Sequence, residues 1–256
     1  MMEISAYIEH IRRDGGMLAD AAERAGLDAQ VPTCPDWRVR DLVRHQGDVH
    51  RWAAANLVRD TDEPMSNDEA DACLATWPDE DVGLLDWFRD GHANWVKTLE
   101  STPDDAIAFA FLPAPSARAF WARRQAHETA MHRADAESAL GDITPYDAEF
   151  AVDGIDEIVR GFATRPGRVT SDPSRTLFIG ATDANRRWWL TIGPDRLTVS
   201  DEGESADCSV SGPASDLYLL AWNRRAPDAL DVRGDRAVLD HWRESHQVRW
   251  GGRTKK

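Results

Sequence analysis

Apolar residues recur at helical spacing through the first part of the chain. Ile4, Ile8, Ile11, Leu18, Ala21 and Ala25 predict a first helix over about 4–25, interrupted by Gly15-Gly16 and ended by Gly26. Pro35 and Asp36 suit the start of a second, whose apolar face of Leu42, Val43, Val49, Trp52 and Leu57 runs to about residue 58. A polar, acidic connection from Asp60 to Asp71 precedes a third helix after Pro78, carrying Leu84, Leu85, Trp87, Phe88, Trp95, Val96 and Leu99 and ending near Ser101. The fourth covers 117–140, with Ser116 as its N-cap and Gly141 just past its end. Four such helices, joined by connections long enough to cross between ends, predict a bundle, an architecture that builds metal sites from side chains on facing helices. A fifth helix is expected at about 147–164.

Beyond Gly167 the period shortens. Residues 176–181, 187–192, 196–199 and 208–211 read as short strands separated by Asp, Gly and Pro turns. A helix then starts in Ser211-Gly-Pro-Ala-Ser-Asp and runs through Trp222, Leu230 to Val232 add a strand, and a last helix spans about 235–245. The predicted class is α+β: a helical domain over 1–145, and a C-terminal domain over 146–256 with its sheet and helices at about 175–246. Arg253 to Lys256 reads as a loose basic tail.

Composition narrows the function. A chain of 256 residues with 42% hydrophobic content supports a core in each of two domains. The net charge of −15 argues against general binding to nucleic acid or to an anionic membrane. The widely spaced Cys34, Cys73 and Cys208 show no CxxC pattern and suit a reducing interior. No basic segment followed by an apolar run opens the chain, and no stretch approaches about 18 apolar residues. The expectation is a cytoplasmic protein with no membrane partner, monomeric or homodimeric.

Polar residues interrupt the helical pattern at informative places. His45 lies three residues after Leu42 and four before Val49, so it points inward, as a hydrogen-bonded core histidine or as a ligand. Glu128 and His132, four residues apart, share one face of the fourth helix, and a buried carboxylate is costly unless paired or coordinated. Together they predict a divalent-metal site with positions left open, as in catalytic centres. Zinc, iron, nickel and manganese all suit such a set. Asp135, about one turn beyond His132, either orients that imidazole and assists proton transfer or is an exposed helix charge. His127 is rotated about 100° from Glu128 and is expected at the surface or behind the ligands. His50, about 140° from His45, should border the site without reaching the ion. Cys34 and Cys73 lie off the interior face, and Asn223-Arg224-Arg225 reads as a solvated turn or as an anion clamp for a carboxylate. Trp188-Trp189 suits core and strand-edge packing, and no phosphate loop or GxSxG elbow is present.

Several of these residues fall in longer patterns. Val31-Pro-Thr-Cys-Pro-Asp-Trp37 is followed by Asp41-Leu-Val-Arg-His45, by Val49-His-Arg-Trp-Ala53 and later by Arg124 through Asp135 with its Glu-x-x-x-His-x-x-Asp core. In this order and spacing they resemble the mycothiol-dependent maleylpyruvate isomerase family along nearly the whole chain. The resemblance implies a DinB-like four-helix bundle and a C-terminal α/β domain similar to sterol-carrier folds. It also implies a metal, typically zinc, on His45, Glu128 and His132, and mycothiol as thiol cosubstrate, hence an actinobacterial host. Arg224 falls where the family binds a substrate carboxylate, although Asn223 replaces the usual glycine there, and Asp135 would assist proton movement or orient His132. In the implied isomerisation a thiolate adds to a cis double bond, the resulting single bond rotates, and elimination gives the trans product. The alternatives are a mycothiol S-transferase acting on an electrophile and a non-catalytic module that binds metal or a small ligand.

Overall fold

A computed structural model describes residues 1–247, so the basic tail at 253–256 lies outside the described residues. The chain divides into two compact units, Met1–Thr144 and a second that begins at Pro145. The class is α+β.

The first unit is helical: α1 (Ile4–Ala25), α2 (Val39–Leu57), α3 (Asn67–Cys73), α4 (Leu84–Ser101) and α5 (Ala117–Ser138). α1 and α2 each pack against both α4 and α5, so the four long helices close a bundle. Its interior takes Ile11, Leu18, Leu42, Val43, Phe88, Trp95, Leu99 and Trp121, all fully buried. Burial of one such aliphatic or aromatic side chain stabilises by about 1.5–3 kcal/mol, and this apolar seam holds the helices in register around the polar residues described below.

Several expectations shift here. α1 runs through Gly15-Gly16 without interruption, because Gly15 faces a neighbour rather than a break: a Cβ there would lie 2.2 Å from His92 Nε2. α2 starts at Val39 rather than at Pro35, where the Asp41 carboxylate accepts the Arg38 N–H at 2.9 Å. Residues 30–38 instead form a closed loop, in which Val31 N–H donates to Trp37 O, Cys34 N–H to Val31 O and Trp37 N–H to Cys34 O. The polar, acidic connection expected from Asp60 to Asp71 gives way at Asn67 to α3. α3 is a capped turn of helix in which Ser66 and Glu69 exchange hydrogen bonds, and its one buried residue, Ala70, leaves no apolar period to read. Ser116 caps α5 by accepting the Ala119 N–H at 3.1 Å, and Gly141 (φ +89°) provides the left-handed residue beyond its end.

The second unit opens with α6 (Ala148–Asp156), which passes into a π-helical turn at Glu157–Phe162 where one continuous helix was expected. Its sheet comprises β1 (Arg175–Ala181), β2 (Arg187–Ile192), β3 (Leu197–Ser200), β4 (Cys208–Gly212) and β5 (Asp231–Gly234) in the order β3-β2-β1-β4-β5. Only the β1–β4 pair is parallel. Register places Leu177 opposite Leu190 and Cys208, and Ile179 opposite Trp188 and Val210, so one face is continuously apolar and buried. Helices α7 (Ala214–Ala221) and α8 (Arg236–Ser245) pack against β1 and β4. Among the described residues no helix is long and apolar enough to cross a membrane.

Gly47 on α2 gives a test of packing against propensity. A Cβ there would lie 2.1 Å from the Trp87 ring, which is held by the Arg51 guanidinium 3.8 Å above it and by the contact of Trp87 Nε1 with Thr76. Alanine favours a helix interior by about 1 kcal/mol, but overpacking costs about 1–3 kcal/mol. Gly47→Ala should therefore lower the stability read by urea denaturation; a gain would show that Trp87 yields freely.

Candidate metal centre

α5 positions most of the site. It carries almost no amphipathic pattern and is buried around its circumference, including Arg124, Gln125, His127, Glu128, Thr129, His132, Arg133, Asp135 and Glu137. Polar groups in such surroundings must find partners. Arg133 donates to Thr144 O at 2.7 Å and lies 3.5 Å from the buried Asp14 carboxylate. Thr129 Oγ1 meets Gln46 Nε2 at 3.2 Å and His50 Nε2 at 3.0 Å.

One turn on, the cluster is of a different kind. His45, Glu128 and His132 each present one ligand atom, all within 4.8 Å of one another. Among the described residues no other group of three histidine, cysteine or acidic side chains converges in this way. Arg124 Nη2 donates to Glu128 Oε2 at 2.9 Å, which leaves Oε1 facing His132 Nε2 at 3.3 Å and His45 Nε2 at 3.6 Å. Oε1 is buried and takes part in no hydrogen bond of good geometry. His132 is fixed from behind: its Nδ1 lies 2.8 Å from Asp135 Oδ2, so a proton on Nδ1 directs the Nε2 lone pair at Glu128 and His45. Thr33 Oγ1 donates to the other oxygen, Asp135 Oδ1, at 2.6 Å. Trp37 stacks on His132 (centroids 5.9 Å apart, planes 26° apart) and tilts over His45 at 4.9 Å.

The charges respond to these contacts. Burial would raise the Glu128 pKa, but the neighbouring imidazoles and the Arg124 charge outweigh it and hold the carboxyl well below the usual carboxylate range. Burial alone would lower His132; Asp135 and Glu128 reverse this and raise it above its ordinary value. In His45 burial prevails and the pKa is lowered. The donor set, two imidazoles and a carboxylate whose second oxygen is already occupied, fits a divalent cation with coordination positions to spare.

His50 lies outside this set, fully buried on Gln46 and Thr129, and burial holds its pKa well below the ordinary value. For His127 the surface alternative is excluded: it is fully buried, with its ring edge-on to Tyr7 at 6.3 Å, and its face of α5 packs inward because α1 covers it. Cys34 and Cys73 are half-buried and outside the cluster. Arg224, in the second unit, follows α7, where Asn223 adopts φ +59°, and its Nη1 donates to Trp222 O at 2.9 Å. The sequence marks Thr33 and Arg124 only indirectly, by the run from Val31 to Trp37 and by the i, i+4 spacing of Arg124 and Glu128.

A four-helix bundle bearing a His-Glu-His cluster on two facing helices, followed by a separate α+β unit, defines a two-part protein with a candidate metal centre in its helical part. The chain belongs to the mycothiol maleylpyruvate isomerase family: residues 8–137 match the mycothiol maleylpyruvate isomerase N-terminal domain, and residues 149–241 match the C-terminal domain of the same family. Two crystal structures share the fold. One is a histidine-to-alanine mutant of the mycothiol-dependent maleylpyruvate isomerase, at TM-score 0.63 and 14% identity, with 90% of this chain and 93% of that one covered. The other is the mycothiol-dependent maleylpyruvate isomerase without that mutation, at TM-score 0.60 and 15% identity over the same shares. No curated protein matches the sequence.

Two outcomes follow. In metal-free protein, Arg124→Met strips a buried carboxylate of its partner and should cost about 3–5 kcal/mol, read by denaturation in chelator, with much of the loss recovered on adding a divalent cation. His50 sets a pH effect of known sign: its folded pKa is depressed, so the unfolded chain binds the proton first, and stability falls as pH drops from about 6.5 toward the folded value. His132, raised, acts oppositely and loses its contribution as pH rises through its folded value. His50→Gln should flatten the acid limb of a stability–pH curve; an unchanged limb would rule out His50 as its source.

Proposed function

We propose that the chain is a metal-dependent enzyme that uses a small thiol, mycothiol in the first instance, to isomerise a small unsaturated carboxylate from cis to trans. The observation that carries this reading is the convergence of His45, Glu128 and His132 within 4.8 Å, in a chain of this family. These three side chains would hold the metal, zinc by preference. Bound there, the cation would favour the thiolate form of a thiol at its open position.

The chain's own residues supply the rest. Arg124 holds one Glu128 oxygen and balances its charge, leaving Oε1 for the metal. Asp135 keeps the His132 proton on Nδ1 and so frees Nε2. Trp37 lies against the two imidazoles and would limit their freedom to turn. Arg224 would clamp a substrate carboxylate; its guanidinium is suited to bidentate recognition, and the left-handed Asn223 before it sets the turn from which it projects. The organism implied by mycothiol use is actinobacterial, and the site of action cytoplasmic.

The test is elemental analysis of wild type and His45→Ala, followed by X-ray absorption on metal-loaded wild type titrated with mycothiol. About one zinc per chain, lost in the variant and gaining a sulfur ligand with thiol, is the expected result. Metal that takes up no sulfur would overturn the thiol-activating reading in favour of a binding module. With an electrophilic substrate, stoichiometric loss of mycothiol would indicate an S-transferase, since an isomerase regenerates its thiol.

A further inference from the structure

Two side chains of the closed loop at residues 30–38 touch the candidate ligands or the group behind them, and one acts through a hydrogen-bond chain. Thr33 Oγ1 lies 2.6 Å from Asp135 Oδ1, and Asp135 Oδ2 lies 2.8 Å from His132 Nδ1. The proton inventory assigns directions. A carboxylate only accepts, and threonine has a single hydroxyl proton. Ser138 Oγ, 3.1 Å from Thr33, donates its own proton to Asp135 O at 2.7 Å. Of the two acceptors then open to Thr33, the charged Asp135 Oδ1 at 2.6 Å takes its proton in preference to Ser138 Oγ at 3.1 Å, and Asp135 Oδ2 takes the His132 Nδ1 proton. Because Asp135 is fully buried, water does not stand in readily for the threonine donor. The loop is tied down independently of the site by its three internal backbone bonds and by Gln30 Nε2, which donates to Trp37 O at 2.9 Å.

We infer that Thr33 is a positioning residue for the metal centre: through Asp135 it fixes the rotamer and tautomer of His132, so that the 30–38 loop, and not the two helices alone, sets the geometry of ligation. The inference rests on the reading of His45, Glu128 and His132 as metal ligands. It assigns the Val31–Trp37 segment a task that its helix-opening appearance conceals, since α2 begins only at Val39.

Zinc affinity, measured by chelator competition, tests it without recourse to activity. Thr33→Val keeps the side-chain shape and removes the donor; affinity should fall about tenfold, as is typical when a group supporting a ligand is lost. Thr33→Ser should restore it. In an Asp135→Ala background, which removes both carboxylate oxygens, the valine change should have no further effect, because the chain is already broken. Wild-type affinity in Thr33→Val, or an equal loss in both backgrounds, overturns the inference while leaving the metal site standing. Absence of zinc from wild type overturns both. Should Thr33→Val fail to fold by circular dichroism, nitrogen NMR of zinc-loaded wild type decides. Zinc on His132 Nε2 with the proton on Nδ1 is expected, and the reverse assignment refutes the chain of bonds.

Discussion

The burial of Glu128 at the heart of the bundle is the constraint on which the rest of the site depends. An ionised carboxylate removed from water carries a penalty of several kcal/mol unless charge and hydrogen bonds compensate it. Here one oxygen is taken by Arg124 and the other is turned toward two imidazoles. The same arrangement that makes the carboxylate tolerable leaves one oxygen and two ring nitrogens pointing at a common volume. Compensation and ligand geometry are thus one feature of the fold.

That feature spreads outward along α5. A helix buried on every side has no solvent face on which to place its polar residues, and several are matched by neighbours: Arg133 with Asp14 and Thr144, Thr129 with Gln46 and His50, Asp135 with His132 and Thr33. Such networks gain from the low dielectric when complete and lose heavily when a member is removed. The bundle around them is apolar and regular, and it supplies the rigidity on which the precise placement of a few polar atoms relies.

The second unit is organised by a different principle. Its sheet presents one continuous apolar face built by register between β1, β2 and β4, with α7 and α8 packed on it. Arg224 follows α7 at a turn that Asn223 makes in the left-handed region, where asparagine is tolerated better than most residues. Membership of the mycothiol maleylpyruvate isomerase family covers both units.

Much of the architecture was legible in the sequence because period and punctuation are local. Helical spacing located α1, α4 and α5, the cap at Ser116 and the glycine at 141 marked the ends of α5, and short alternating runs located the strands to within a few residues. The inward direction of His45 and the shared face of Glu128 and His132 follow from 3.6 residues per turn alone. What the sequence could not determine was set by contacts between distant segments. α3 has a cap and no apolar period. Gly15 serves His92 from another helix, and His127 is buried because α1 lies over it. Thr33 meets Asp135 across 102 positions of sequence. Local spacing decides which face a residue occupies, whereas only the packed chain decides what that face meets; that is why candidate ligands could be read from the sequence and the groups that hold them in place could not.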